Sequence, residues 1–333
     1  MFRKILLISL MLVFLLGSFS LPAPAQEPIA TLSFAALTTL PHPWAQSAFK
    51  FAELVEEKTD GKIKVVVYPS AQLGGEYEYV QGLQLGTIDV CITAIASFAG
   101  ITPKLEILSL PFLFRNYDHF DSFRNSEVGE ELASLMSPHG FELLSWHESG
   151  SQGFYNSQRP ITSIDDIKGL SMRTIESTVM TQSMTSYGAR PTPLAFPEFY
   201  SAMQTGVVAG GENSILVYET ASHYEVARYY TASRHRILAG AILISQATLN
   251  RIPVEYHDVL YEAAIEASEI GMEAGRDMER ELELTIGIKY DVDINFLSDE
   301  AKEEFVASVQ ELYNRTAARV GMEDALQQII DLD

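Results

Sequence analysis

The sequence predicts an α/β protein of two domains, and three observations carry that prediction. Apolar strands alternate with amphipathic helices from Ala30 onward, the pattern of a parallel α/β layer. The length of 333 residues suits two domains with sizeable cores. No low-complexity linker separates them, so crossing strands or helices are expected to join them, as around a hinge.

The elements follow in order. Residues 30–36 read as a first strand, and residues 37–43 as a loop carrying Pro41 and Pro43. A helix starts at Trp44, sets Ala48, Phe51, Ala52, Leu54 and Val55 on one face, and ends near Asp60-Gly61. Residues 63–68 are a valine-rich strand stopped by Pro69, residues 76–85 a helix, and residues 88–95 a short buried strand. A helix is expected around 119–136 and a strand at 141–147. Residues 161–167 hold a turn and a helix start. Helices at 177–187 and 197–204 flank an extended segment at 191–196. Residues 214–229 read as mostly helical and 236–245 as a strand. Residues 253–285 form the longest helical pattern, which spans both domains unless it breaks near Gly271. A terminal helix covers 298–319, with Ser298 as its cap and Glu300 in its first turn.

Residues 1–25 read as a secretory signal peptide: Arg3 and Lys4, an apolar run from Ile5 to Leu16, and the small-residue cleavage pattern Ala23-Pro24-Ala25 before Gln26. The apolar run is short for a membrane span, so stable membrane insertion is not expected. Beyond it, 21 basic residues face 44 acidic ones, a formal charge of −23. That charge argues against nucleic acid or an anionic membrane surface as partner. A single cysteine, Cys91, excludes an internal disulfide and sits in an apolar run as a small hydrophobe. Export without disulfides fits a bacterial periplasm.

The stretch 169–213 holds the candidate chemistry. Arg173 closes a short apolar run at a strand end, and Asn213 follows 206–211, where three of six residues are glycine. A guanidinium fork matches a carboxylate bidentately, and an amide beside it adds a donor. A surface arginine paired with an acid, and an asparagine in an ordinary turn, fit the same residues. Phe196, Tyr155 and Trp146 fit either plain core or the apolar wall of a small-molecule pocket. Enzyme signals are weak. There is no nucleophile elbow, no phosphate-cradling loop and no close histidine pair for a metal, and the zinc-protease start at His147-Glu148 fails because residue 151 is serine. No cofactor and no catalytic group is predicted. The rival reading is an exported enzyme using His235 or His147.

The motifs GKIKVVVYPSAQLGG (61–75), LQLGTIDV (83–90) and LPFLF (110–114), with GLSMRT (169–174) and GARPTPLAFPEFYSAMQTGVVAGGEN (188–213), carry a family resemblance over nearly the whole chain after the leader. The chain resembles the extracytoplasmic solute receptors of tripartite ATP-independent periplasmic (TRAP) transporters, the C4-dicarboxylate receptor family. The resemblance implies a two-lobed periplasmic binding protein with a hinge and a ligand cleft between the lobes. It implies lobe I at 26–150 with about 238–278, lobe II at 151–237 with about 279–333, and a long helix spanning both. Arg173 would bind a substrate carboxylate with Asn213 assisting and Phe196 packing on the ligand. Tyr155, Ala94 and Phe98 would surround the acid body, and TRAP membrane subunits would be the partners. Two departures bear on the substrate. The second motif has Ala209-Gly210-Gly211 where the family usually writes Asp-Gly-Gln, and Gln152 and Gly153 stand where many members place another basic residue. With one fewer pocket cation, the expected ligand is a monoanionic organic acid with an apolar or hydroxylated body. A sensory binding protein of the same fold fits these residues equally.

Overall fold

The computed structural model describes residues 27–333; the predicted leader lies outside the described residues. Nine strands form one sheet: β1 (Ala30–Ala36), β2 (Ile63–Tyr68), β3 (Val90–Ala94), β4 (Phe141–Asn156), β5 (Ser171–Thr174), β6 (Arg190–Pro193), β7 (Gly210–Ser214), β8 (Tyr229–Ser245) and β9 (Asp293–Phe296). Their order is β2-β1-β3-β8-β4-β7-β5-β6, with β9 on β8.

The fold turns on β4 and β8, 16 and 17 residues long, which pair antiparallel and run through both lobes. β3 pairs with the end of β8, from Val90↔Ile244 to Ala94↔Gly240, and carries β1 and β2 beyond it. β7 pairs with the end of β4, from Gln152↔Ser214 to Asn156↔Gly210, and carries β5 and β6. The two extensions therefore sit at opposite ends of the long pair, and each lobe is built on one of them. Between them the ladder breaks: Glu148 pairs with Ala239 but Ser151 with Ile237, so Ser149 and Gly150 oppose Leu238 alone. Such a bulge bends the strand and increases its twist. Gly150 has φ 81°, and a side chain there would come within 2.8 Å of Glu279 and 2.9 Å of Ser214. Only glycine fits this bend.

Both long strands extend past their sequence-predicted limits. The added halves, 148–156 and 229–235, are mostly polar or glycine with apolar residues only in pairs or singly, so they lack the apolar run that marks a buried strand. The helix expected at 119–136 is two, Tyr117–Arg124 and Glu127–Ser134. Ser126 caps the second by accepting from the Gly129 N–H at 3.2 Å. The segment 214–229 is helical only over Ile215–Thr220, with a single tighter turn at His223–Glu225. Ser298 does cap its helix, accepting from the Ala301 N–H at 3.2 Å, but the helix breaks at Val309 into Asp299–Ser308 and Gln310–Val320.

The longest helix, His257–Tyr290, runs 34 residues without a break at Gly271. It packs on the Pro43–Lys58 helix at one end and on Ile215–Thr220 and β9 at the other, so it spans both lobes. Its glycines permit that closeness: a Cβ on Gly271 would fall 1.9 Å from Ser47 Oγ, and one on Gly275 2.6 Å from Pro43. The final helices reach back towards the first half of the chain. Arg319 pairs with buried Glu106, and the Arg115 guanidinium donates to the Ile330 and Leu332 carbonyls. No helix among the described residues is long and apolar enough to cross a membrane.

Candidate ligand-binding site

Arg173 sits on β5, opposite Gly211 of β7, with Asn213 two residues further along. Strand side chains alternate, so Arg173, Gly211 and Asn213 share one face. Gly210 and Gly211 are strand residues and not a turn; the turn is at Gly206, with φ 77°. A Cβ on Gly211 would lie 2.5 Å from the Phe199 ring, and one on Gly210 1.9 Å from the Tyr155 carbonyl. Their missing side chains let Phe199 and β4 close in beneath the arginine.

Arg173 is 2% exposed. Its Nε donates to the Leu194 carbonyl at 2.9 Å, and the Phe199 and Phe196 rings lie 5.2 and 6.0 Å from its guanidinium carbon. The nearest carboxylate oxygen, on Glu76, is 3.7 Å from Nη2, beyond hydrogen-bond range, and Nη2 has no partner. A buried guanidinium thus keeps a donor without a partner, in a side chain that lines a cavity. Asn213 is 7% exposed, and its Oδ1 accepts from the Ser214 N–H at 3.3 Å, which leaves its amide N–H₂ side to donate.

Arg173, Asn213, Phe196 and Ala94 line one cavity, together with Trp44, Glu76, Ser149 and Leu238. Its walls come from both extensions of the sheet and from the bulge between them. A second chamber of about 370 Å³ continues outward past Arg173, Glu76 and Ile175, lined by Tyr77, Gln81, Gln84, Ser97 and Glu176. Glu76 reaches across the cleft, and its Oε2 lies 3.4 Å from the Phe196 N–H. Two other expected wall residues are placed elsewhere. Phe98 is fully buried against Phe141, ring centroids 5.2 Å apart. Tyr155 lies behind the arginine, its hydroxyl 2.7 Å from His223 Nδ1 and its ring among Phe199, Tyr218 and Tyr230. Burial, and secondarily the Arg173 charge, lower the His223 pKa to about 3, so that imidazole stays neutral beside the tyrosine hydroxyl.

The histidines of the enzyme reading sit outside both chambers. His147 is fully buried, 2.9 Å from Ser47 Oγ, and burial lowers its pKa to about 4. His235 stacks on Phe154 at 4.1 Å and lies 2.6 Å from Glu212. No cluster of potential metal ligands occurs among the described residues. Sequence reasoning missed Glu76 and Trp44. An acid in the first turn of a helix is an ordinary dipole-compensating choice, so Glu76 carried no signal of its own.

Residues 34–319 match the family described as bacterial extracellular solute-binding protein, family 7 (DctP). A solute-binding protein of Chromohalobacter salexigens is 30% identical over 277 residues, covering 82% of this chain and 81% of that protein. Among solved structures, the sugar acid binding protein of Advenella mimigardefordensis in complex with galactonate superposes with a TM-score of 0.88 at 25% identity, covering 92% of this chain and 98% of the other. A TRAP periplasmic solute-binding protein of Sulfurospirillum deleyianum with bound succinate gives 0.86 at 27% identity, covering 92% and 100%. With a two-lobed fold and a buried arginine facing the cleft, the chain belongs to family 7 of the bacterial extracellular solute-binding proteins, the DctP family of TRAP solute receptors.

Proposed function

We propose that this chain is exported to the periplasm, binds a small hydroxylated monocarboxylate between its lobes, and delivers it to the membrane subunits of a TRAP transporter. The observation that carries this reading is the unpartnered Nη2 of buried Arg173, beside Asn213, in a cavity walled by both lobes. A carboxylate there receives charge-assisted hydrogen bonds where water competes weakly. Phe196 and Ala94 form apolar walls, and Tyr155 backs the arginine. Phe98 shapes the first lobe from its core.

The charge around the cavities supports a monoanion. Arg173 is the one basic residue lining either chamber, against Glu76 and Glu176. A second carboxylate on the ligand would face these acids, whereas hydroxyls would donate to Glu76 and to the Gln81 and Gln84 side-chain oxygens. The relatives' galactonate has this chemistry, and their succinate does not. The lobes divide at the crossings, 26–150 with about 238–278 against 151–237 with about 279–333, and the last helices pack back across. Closure bends the long strands at the Ser149–Gly150 bulge. No bond is made or broken in the bound acid.

Thermal melting of the chain from Gln26 onward, with galactonate, galactonamide and succinate, tests this. Galactonate at about a hundred times its dissociation constant adds roughly 2.7 kcal/mol, and the amide adds nothing. A shift from the amide equal to that from the acid contradicts the carboxylate reading; a larger shift from succinate contradicts the monoanion.

A further inference from the structure

The bend of β4 is held from behind by side chains that do not reach the cavity. The Ser151 N–H donates to Glu279 Oε2 at 2.9 Å and lies 2.9 Å from the Tyr117 hydroxyl, which donates to the same Oε2 at 2.7 Å. The Gly150 N–H donates to the Glu148 carboxylate, and Arg276 joins Glu148 at 3.3 Å to Asp121 at 2.7 Å. Glu279 and Arg276 belong to the lobe-spanning helix, Tyr117 and Asp121 to the Tyr117–Arg124 helix, and Ser149 of the same bend lines the ligand cavity. Two helices and the strand's own Glu148 converge on two peptide groups of one bulge. Burying a carboxylate so close to Glu148 and Glu283 is costly, and plain packing would not require it.

We propose that Glu279 and Tyr117 form a latch on the hinge, positioning residues that hold β4 in its closed bend and let go on opening, so that they set affinity without touching the acid. The proposal rests on the receptor reading above. Opening shifts β4 at Ser149–Ser151, takes the Ser151 N–H from Oε2 and admits water. In the latched form burial raises the Glu279 carboxyl to about 7, against the pull of Tyr117 and Ser151. Hydration returns it towards the ordinary carboxylate value, so the closed form binds more protons between about pH 4.5 and 7. Affinity therefore falls as pH rises through that window. Of the groups around Glu279, Arg276 and Arg234 stay charged there, and Tyr117 and Tyr230 stay neutral. The Glu283 carboxylate also faces Glu279, and Glu148, which burial also raises, is a carboxylate whose titration Glu279→Gln separates from that of Glu279.

The test titrates galactonate into the chain at pH 5.5 and pH 8, for wild type, Glu279→Gln, Glu279→Ala and Tyr117→Phe. In parallel, interlobe distances of a spin-labelled pair, one label per lobe, are measured without any acid. Wild type weakens by about tenfold or more between the two pH values, and Glu279→Gln does not. Glu279→Ala and Tyr117→Phe bind more weakly and populate longer interlobe distances. Full pH dependence in Glu279→Gln, or identical distance distributions in every variant, overturns the latch. If galactonate fails to bind wild type while the distances shift as expected, the acid reading fails and the latch stands. Should Glu279→Ala not fold, Tyr117→Phe and Glu279→Gln carry the test.

Discussion

Two buried arginines of this protein differ in what surrounds them. Arg236 of β8 is 1% exposed; its Nη1 donates to Glu212 at 2.8 Å and its Nε to the Ser109 carbonyl at 3.0 Å. Arg173 of β5 is 2% exposed, yet its nearest carboxylate oxygen is 3.7 Å away, on a helix of the opposite lobe. Strand β7 serves both. Alternate residues point to opposite faces, so Glu212 turns to Arg236 and His235 while Asn213 turns to the cavity. Burial pushes the Glu212 carboxyl up, but Arg236 and His235 more than offset this and hold it below its usual value. The arginine neutralised at 2.8 Å ties β7, β8 and Ser109 together, and the one whose counter-charge stands off at 3.7 Å is the one proposed to receive the anion.

The largest effect expected from this contrast is on folding. Arg236→Met strands the Glu212 charge in the interior and costs about 3–5 kcal/mol of stability, read by urea unfolding. A loss under 1 kcal/mol would show that the pair is not what neutralises Glu212. Arg173→Ala acts on the other side of the comparison. It removes about 2–5 kcal/mol of acid binding and lowers ligand-free stability less than Arg236→Met does, because the pair it breaks, with Glu76 at 3.7 Å, is longer than that of Arg236 with Glu212 at 2.8 Å. If it unfolds the protein as Arg236→Met does, the two arginines are alike and the distinction fails.

Strands β1 and β2 and the helix at 76–85 were readable in the residues because their apolar patterns are clean, and the family motifs pointed to Arg173 and Asn213, which line one cavity. The polar halves of β4 and β8 were not, since their ladder joins residues some eighty positions apart and leaves no local period. For the same reason nothing local separates Arg173 from Arg236: each follows or precedes a short apolar run, and only the distance to a carboxylate tells them apart. Phe98 and Tyr155 show the limit on the aromatic side, because a ring that walls a pocket and one that packs behind it look the same in sequence.

Next in size is a pH effect on stability. His42 and His223 are lowered to about 3, and His147 to about 4, each mainly by burial. Unfolded histidines take protons below pH 6.5 and these do not, so stability is complete above 6.5 and falls with pH towards 4, by about 2 kcal/mol per histidine at pH 5. Glu279, raised to about 7, works the opposite way, its folded form holding a proton between pH 4.5 and 7. Urea unfolding at pH 7 and pH 5 should therefore show a net loss at pH 5, and Glu279→Gln should steepen it. Equal stability at both pH values would mean these imidazoles are hydrated in the folded state. The smallest effect is Asn213→Ala, which removes one donor to the acid and weakens binding by about 1 kcal/mol in calorimetry; a loss as large as that of Arg173→Ala would make the amide, and not the guanidinium, the main anchor.

The most direct measurement of the central claim is calorimetric binding to wild type and Arg173→Lys of whichever acid gives the largest melting shift. A planar fork that holds a carboxylate through two hydrogen bonds cannot be replaced by an ammonium, although the charge is kept. The account predicts that Arg173→Lys binds nearly as poorly as Arg173→Ala while melting like wild type without ligand. Near-wild-type affinity in Arg173→Lys would contradict it, showing that positive charge alone, and not the guanidinium geometry, holds the acid.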